Sequence, residues 1–231
     1  VPLFEQSVAK YCDAKYGVAV NSATSALHIA CLALELGKGD WLWTSPNSFV
    51  ASANCGLYCG ANIDFVDIDP KTYNLCIDKL EKKLIQAEKE GKLPKIIVPV
   101  HFAGQSCDMK KLHLLSNKYG FSTIEDASHA IGGKYLDEPI GNCNYSNITV
   151  FSFHPVKIIT TGEGGSAHTN NKKYYDIMKS VSSHGIIRKK NHLNHGINHL
   201  LYEQRYLGFN YRLTDIQAAL GISQLKKLNL F

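Results

Sequence analysis

Short apolar runs alternate with longer amphipathic stretches along most of the chain. Residues 18–20, 41–43, 63–66, 96–100, 123–125 and 148–152 are brief runs rich in β-branched and aromatic residues, and they predict strands. Residues 24–36, 48–59, 78–90, 108–119, 172–183 and 214–227 carry apolar positions at helical spacing and predict helices. The segment after Val1 also enters a helical pattern at once. This alternation, joined by short turns, predicts an α/β fold: a mostly parallel sheet flanked by helices on both faces. Sheets of this kind bind ligands at the carboxyl ends of their strands.

One stretch breaks the rhythm. Residues 184–207 hold His192, His195 and His199 among several asparagines and show no clean period. They read as a loop, at an oligomer surface rather than as a metal site. The basic run Arg188, Lys189 and Lys190 lies in the same stretch; it reads as a solvated loop, with attraction for a phosphorylated ligand as the alternative. The chain stops at Phe231 directly after an amphipathic stretch and starts at Val1, so a fragment truncated at both ends is expected.

Composition narrows the picture modestly. The chain has 231 residues, 45% hydrophobic and 19% charged, an ordinary globular balance. A net charge of +5 comes without a nucleic-acid reader motif, which argues against nucleic acid as a partner. No apolar run approaches membrane-spanning length, and no signal peptide opens the chain. The seven cysteines show no paired spacing of a zinc or redox site and fit a reducing, cytoplasmic setting. Cys55 and Cys59 lie one helical turn apart, where buried packing is expected.

Candidate chemistry centres on Lys157. It follows the predicted strand 148–152 and precedes the glycine-rich Gly162, Glu163, Gly164 and Gly165. An amine at the mouth of a sheet is desolvated, which lowers its pKa and makes it a nucleophile toward carbonyls. Such a lysine can hold pyridoxal phosphate as a Schiff base. Other segments supply complementary pieces. Asn21 to Ser25 places small and hydroxylic residues at a helix start, which suits either plain capping or a phosphate. Asp126, at the end of the strand before Ser128 and His129, is a carboxylate that can pair with a protonated ring nitrogen or serve as a polar cap. Phe49 is an aromatic suited to stacking on a planar ring or to core packing. Ser152 ends its strand five residues before Lys157 and offers a hydroxyl.

Taken in order, NSATSAL, SPNSFVASAN, EDASHAIGG, FSFHPVK, GEGG, SHG and LGFNYRLTDIQAALG strongly resemble the DegT/DnrJ/EryC1/StrS family of pyridoxal-phosphate-dependent sugar aminotransferases, over essentially the whole chain. The resemblance implies the large domain of a type I aminotransferase fold, with the beginning of that domain and the small C-terminal domain missing from residues 1–231. It assigns Lys157 to the cofactor-binding lysine and Asp126 to the aspartate facing the ring nitrogen. His129 falls beside the ring's phenolic oxygen and Phe49 on the ring face. Ala23, Thr24 and Ser152 match phosphate-binding positions, and Asn210 matches an asparagine that reaches the phosphate from the partner subunit. A homodimer with a shared active site is implied. No metal is.

Within the family, NSATSALHIA, FSFHPVK, SHGI and NYRLTDIQAALGISQLKKL look most like members that aminate C4 of a UDP-linked 4-keto-6-deoxy-N-acetylhexosamine in pseudaminic acid biosynthesis, with L-glutamate as donor. Relatives that dehydrate rather than aminate carry histidine where this chain has Lys157, so amino transfer is expected. Another keto-deoxysugar linked to dTDP or GDP, and a non-catalytic binding role, stay open as alternatives.

Overall fold

A computed structural model of the chain describes residues 1–187 and 202–231. The Arg188–Lys190 run and His192, His195 and His199 lie outside the described residues.

Seven strands form the main sheet: β1 (Tyr16–Val20), β2 (Trp41–Thr44), β3 (Asn62–Phe65), β4 (Ile96–Val98), β5 (Ser122–Asp126), β8 (Ile148–Ser152) and β9 (Gly165–Thr169). Between β5 and β8 runs a small hairpin, β6 (Lys134–Tyr135) and β7 (Glu138–Pro139). The sheet order is β1-β9-β8-β5-β4-β2-β3. Pairs from β8 to β3 are parallel, and β9 runs antiparallel to both β8 and β1. The helices are α1 (Pro2–Tyr11), α2 (Ala23–Ala33), α3 (Ala51–Tyr58), α4 (Ile77–Glu90), α5 (Met109–Tyr119), α6 (Lys172–Val181) and α7 (Asp215–Leu225). A two-stranded ribbon, β10 (Ile186–Ile187) with β11 (Glu203–Gln204), precedes α7.

The two-residue period of the strands sorts the core into two layers. Leu42, Ile96, Val98 and Val150 face a cluster built with α2, α3 and α6. Their neighbours point the other way. Trp43 and Ile97 pack with Leu80, Leu84 and Leu112 of α4 and α5, while Phe151 packs with Phe4 and Val8 of α1 and Ala218 of α7. Leu80 and Leu84 are fully buried, each removed from water to a gain of about 2 kcal/mol. Helices on both faces of a mostly parallel sheet are thus what the alternation predicted.

Three departures have local causes. The strand expected over 96–100 ends at Val98, because Pro99 has no N–H for the ladder; pairing resumes as a single bridge between Val100 and Asp126. The helix expected over 48–59 begins only at Ala51, because the Ser48 hydroxyl bonds to the Phe49 carbonyl (2.9 Å) and to Ser52 Oγ (3.0 Å) and holds a bend. The strand β9 has no apolar run to reveal it: its Ser166, His168 and Thr169 are buried and bonded within the sheet.

Among the described residues, no helix is long and apolar enough to cross a membrane.

Candidate active site

A cavity of about 680 Å³ opens at the carboxyl ends of the parallel strands. Ala23, Thr24, Phe49, Asp126, His129, Ser152 and Lys157 all line it, so the structure brings together seven of the residues singled out in the sequence. Asn210 is not among the lining residues; it is exposed and bridges to Ser183.

At one wall the chain leaves β1 and turns into α2. Ser22 caps that helix by accepting the Ser25 N–H at 3.1 Å. The N–H groups of Ala23 and Thr24 lie in the first turn, where they have no partner within the helix and carry the positive end of its dipole. Gly165 passes so close that a Cβ there would sit 2.4 Å from Ala23 N and 2.5 Å from Ser22 C. Only glycine lets β9 approach the helix start.

The floor is the end of β5. Asp126 is buried at 4% exposure, and both its carboxylate oxygens accept hydroxyls: Ser52 Oγ on Oδ2 and Ser128 Oγ on Oδ1, each at 2.6 Å. Ser128 N also donates to Oδ1 at 3.2 Å. The backbone is held as firmly, with Asp126 N donating to Pro99 O and His101 N donating to Asp126 O. Three donors fix the carboxylate and leave it acceptor-only toward the cavity. Ser52 and Ser128 were not among the predicted site residues. The four-residue spacing of Ser48 and Ser52 in SPNSFVASAN was the available signal: it places two hydroxyls on one side of the helix start.

Lys157 sits in the loop between β8 and β9. Phe153 and Ile159, both fully buried, anchor the loop on either side of it. Phe153 stacks edge-on against Phe4 at 5.1 Å and bonds through its backbone to Gly164 and Thr161. The turn between, with Lys157 N donating to His154 O at 3.0 Å, presents the amine at the cavity. Burial lowers the Lys157 pKa below the ordinary lysine value, against the opposing pull of Asp126. Burial likewise lowers His129, aided by the charge of Lys157 and opposed by Asp126.

Phe49 and Val156 present apolar side chains to the cavity. Phe49 is 74% exposed and Val156 77% exposed, although both line the cavity. Exposure of that extent excludes the plainer reading of Phe49 as a core residue. Glu163 also lines the cavity, 3.7 Å from His154. The assembly can therefore hold a planar ring with an anionic group: amides at a helix start, a buried acceptor, an aromatic face and a partly desolvated amine.

Residues 1–231 match the DegT/DnrJ/EryC1/StrS aminotransferase family. The chain belongs to that family. It is 41% identical to the UDP-4-amino-4,6-dideoxy-N-acetyl-beta-L-altrosamine transaminase of Campylobacter jejuni, over 98% of this chain and 56% of the relative. In structure it is similar to the Helicobacter pylori aminotransferase PseC, involved in the biosynthesis of pseudoaminic acid, with a TM-score of 0.89, 35% identity, and coverage of 99% of this chain and 58% of that one. The PLP-form of the putative sugar aminotransferase Spr1654 from Streptococcus pneumoniae gives a TM-score of 0.83 at 29% identity, covering 99% and 59%. The chain thus spans somewhat more than half the length of the relatives it matches.

Proposed function

We propose that the protein to which residues 1–231 belong is a pyridoxal-phosphate-dependent aminotransferase that moves the amino group of L-glutamate to C4 of a UDP-linked 4-keto-6-deoxy-N-acetylhexosamine. The observation that carries the reading is the convergence of Lys157, Asp126 and the α2 start on one cavity. The donor set fits the cofactor: free amides for a phosphate, an acceptor-only carboxylate for a ring N–H, and a nucleophilic amine. When bound, pyridoxal phosphate supplies a carbonyl that condenses with amines and a ring that takes up carbanion electrons.

This chain's residues do the rest. Ala23, Thr24 and Ser152 hold the phosphate. Asp126 holds the proton on the ring nitrogen, and its own orientation is set by Ser52 and Ser128. Phe49 covers the ring face and excludes water. His129 meets the cofactor at the rim. Lys157 would hold the cofactor through its amine, and its partly desolvated Nζ is the base placed to take the proton from the donor's α-carbon. Asn210, exposed and outside the cavity of its own chain, reaches the phosphate of a second copy in a homodimer.

The sugar is inferred from the 41% identity to the Campylobacter jejuni transaminase. The test is turnover by the full-length protein of a panel of UDP-, dTDP- and GDP-linked keto-deoxysugars with L-glutamate, read by mass spectrometry of the product. Amination of the UDP-linked 4-keto-6-deoxy-N-acetylhexosamine ahead of the others is expected. Preference for a dTDP or GDP sugar would overturn the substrate, and no amination of any would overturn the reaction.

A further inference from the structure

Tyr211 is tied to the start of α2 at two points, one on each side of Ala23 and Thr24. Its carbonyl accepts the N–H of Asn21 at 2.8 Å, just before the helix. Its hydroxyl lies 3.1 Å from Nδ1 of His28, on the second turn. The short stretch between the ties is braced from within. Ser25 Oγ donates to Asn21 Oδ1 at 2.7 Å, and Ser25 N donates to Ser22 Oγ at 3.1 Å. Asn21, Ser25, His28 and Tyr211 thus close a ring of contacts around the first turn, whose free N–H groups face the cavity residues.

A tie holds a helix only if its own base is fixed, and Tyr211 has a fixed base. Tyr211 N donates to Ser182 O at 3.0 Å, Phe209 N donates to Val181 O at 2.7 Å, and Arg212 bridges to Val20 at the end of β1. Gly208 crosses Gly185 so closely that a Cβ on Gly208 would sit 1.9 Å from Gly185 N. The rings lock the other end. Phe209 and Tyr211 stack at 5.0 Å, and His28 packs 4.8 Å from Phe209 and 5.4 Å from Tyr58 of α3. His28 is only 4% exposed. Water therefore cannot readily replace either partner of its contact with Tyr211, which makes that contact costly to lose.

We propose that Tyr211 and His28 are positioning residues that hold the first turn of α2 in shape for the phosphate of the cofactor. Neither lines the cavity, so both act through Ala23 and Thr24. The free amides of a first turn converge on an anion only while that turn stays helical, and helix ends fray. Ties on both sides of the turn order it before the ligand arrives, which spares binding the cost of ordering it. This rests on the phosphate seat proposed above and on no other part of that reading.

The test compares two ligands that differ only in the phosphate. Full-length apoprotein is titrated with pyridoxal phosphate and with pyridoxal, and inorganic phosphate is used as a competitor. Tyr211→Phe removes one oxygen and keeps the ring stack. It should weaken pyridoxal phosphate and inorganic phosphate alike, by roughly threefold to tenfold, and leave pyridoxal at its wild-type affinity. His28→Leu should do the same, and adding Tyr211→Phe to it should cost nothing further, because both remove one contact. Equal weakening of pyridoxal, no weakening of pyridoxal phosphate, or additive losses in the double variant would overturn the positioning role. Wild-type protein that binds pyridoxal as tightly as pyridoxal phosphate would instead overturn the phosphate seat itself, and the positioning role with it.

Discussion

Glu125 and Asp126 are consecutive residues of one strand, both buried, yet they face opposite sides of the sheet and do different work. Behind the sheet, Glu125 is closed in. His101 Nε2 lies 2.8 Å from its Oε2, while Thr149 Oγ1, at 2.9 Å, and Ser146 Oγ donate to Oε1. His101 in turn accepts the Cys107 N–H at Nδ1. Burial pushes the Glu125 carboxyl up, and His101 with the two hydroxyls more than reverses it. Facing the cavity, Asp126 is gripped by hydroxyls but keeps one side open, near an amine whose pKa burial has lowered. A buried charge whose partners are all protein is a clamp, here tying the ends of β4, β5 and β8. A buried charge left with an open side is a binding site.

Substitutions on the two faces should therefore separate chemistry from stability. The largest effect is expected at Lys157. Lys157→Ala should lower single-turnover amino transfer by more than about a thousandfold, with the denaturation midpoint nearly unchanged because the loop is anchored by Phe153 and Ile159. Next, Asp126→Asn should cut the rate by roughly 10²–10³-fold while retaining some cofactor binding; equal kinetics for wild type and variant would remove Asp126 from the ring nitrogen.

Behind the sheet the pattern should invert. Glu125→Ala should cost about 3 kcal/mol in urea unfolding, since it strands buried donors, and leave the rate per folded, cofactor-loaded molecule within about threefold of wild type. A selective loss of rate without loss of stability would break the contrast. A pH dependence is also expected at His168, which is fully buried and whose pKa burial lowers from 6.5 to about 4. Between those values the unfolded chain binds a proton that the folded chain does not, so stability falls as the pH drops from 6.5 towards 4, by up to about 3 kcal/mol. Urea titrations at pH 7 and pH 4.5 read it, and His168→Gln should flatten part of the slope.

How much of this was legible in the sequence depended on what each residue does locally. Apolar periodicity exposed β4, β8, α4 and α5, because their buried positions are aliphatic and regularly spaced. It could not expose β9, whose buried positions are Gly, Ser, Ala, His and Thr, with no aliphatic run to mark them. Lys157 and Asp126 stood out because both follow strands and belong to long motifs. The roles of Ser52 and Ser128 did not, since a hydroxyl gains meaning only once the fold puts it 2.6 Å from a carboxylate. Cys55 and Cys59 read as packing from their spacing, and the structure places Cys55 in the core beside α2 with Cys59 packed against it.

The central claim is that Lys157 is the amine that holds the cofactor, and it can be tested directly. The full-length protein would be loaded with pyridoxal phosphate, reduced with borohydride before and after addition of L-glutamate, and digested for mass mapping. The account predicts the cofactor's mass fixed on the Lys157 peptide before glutamate and its loss from that peptide afterwards. Cofactor fixed at another lysine, or at none in a folded protein, would contradict it.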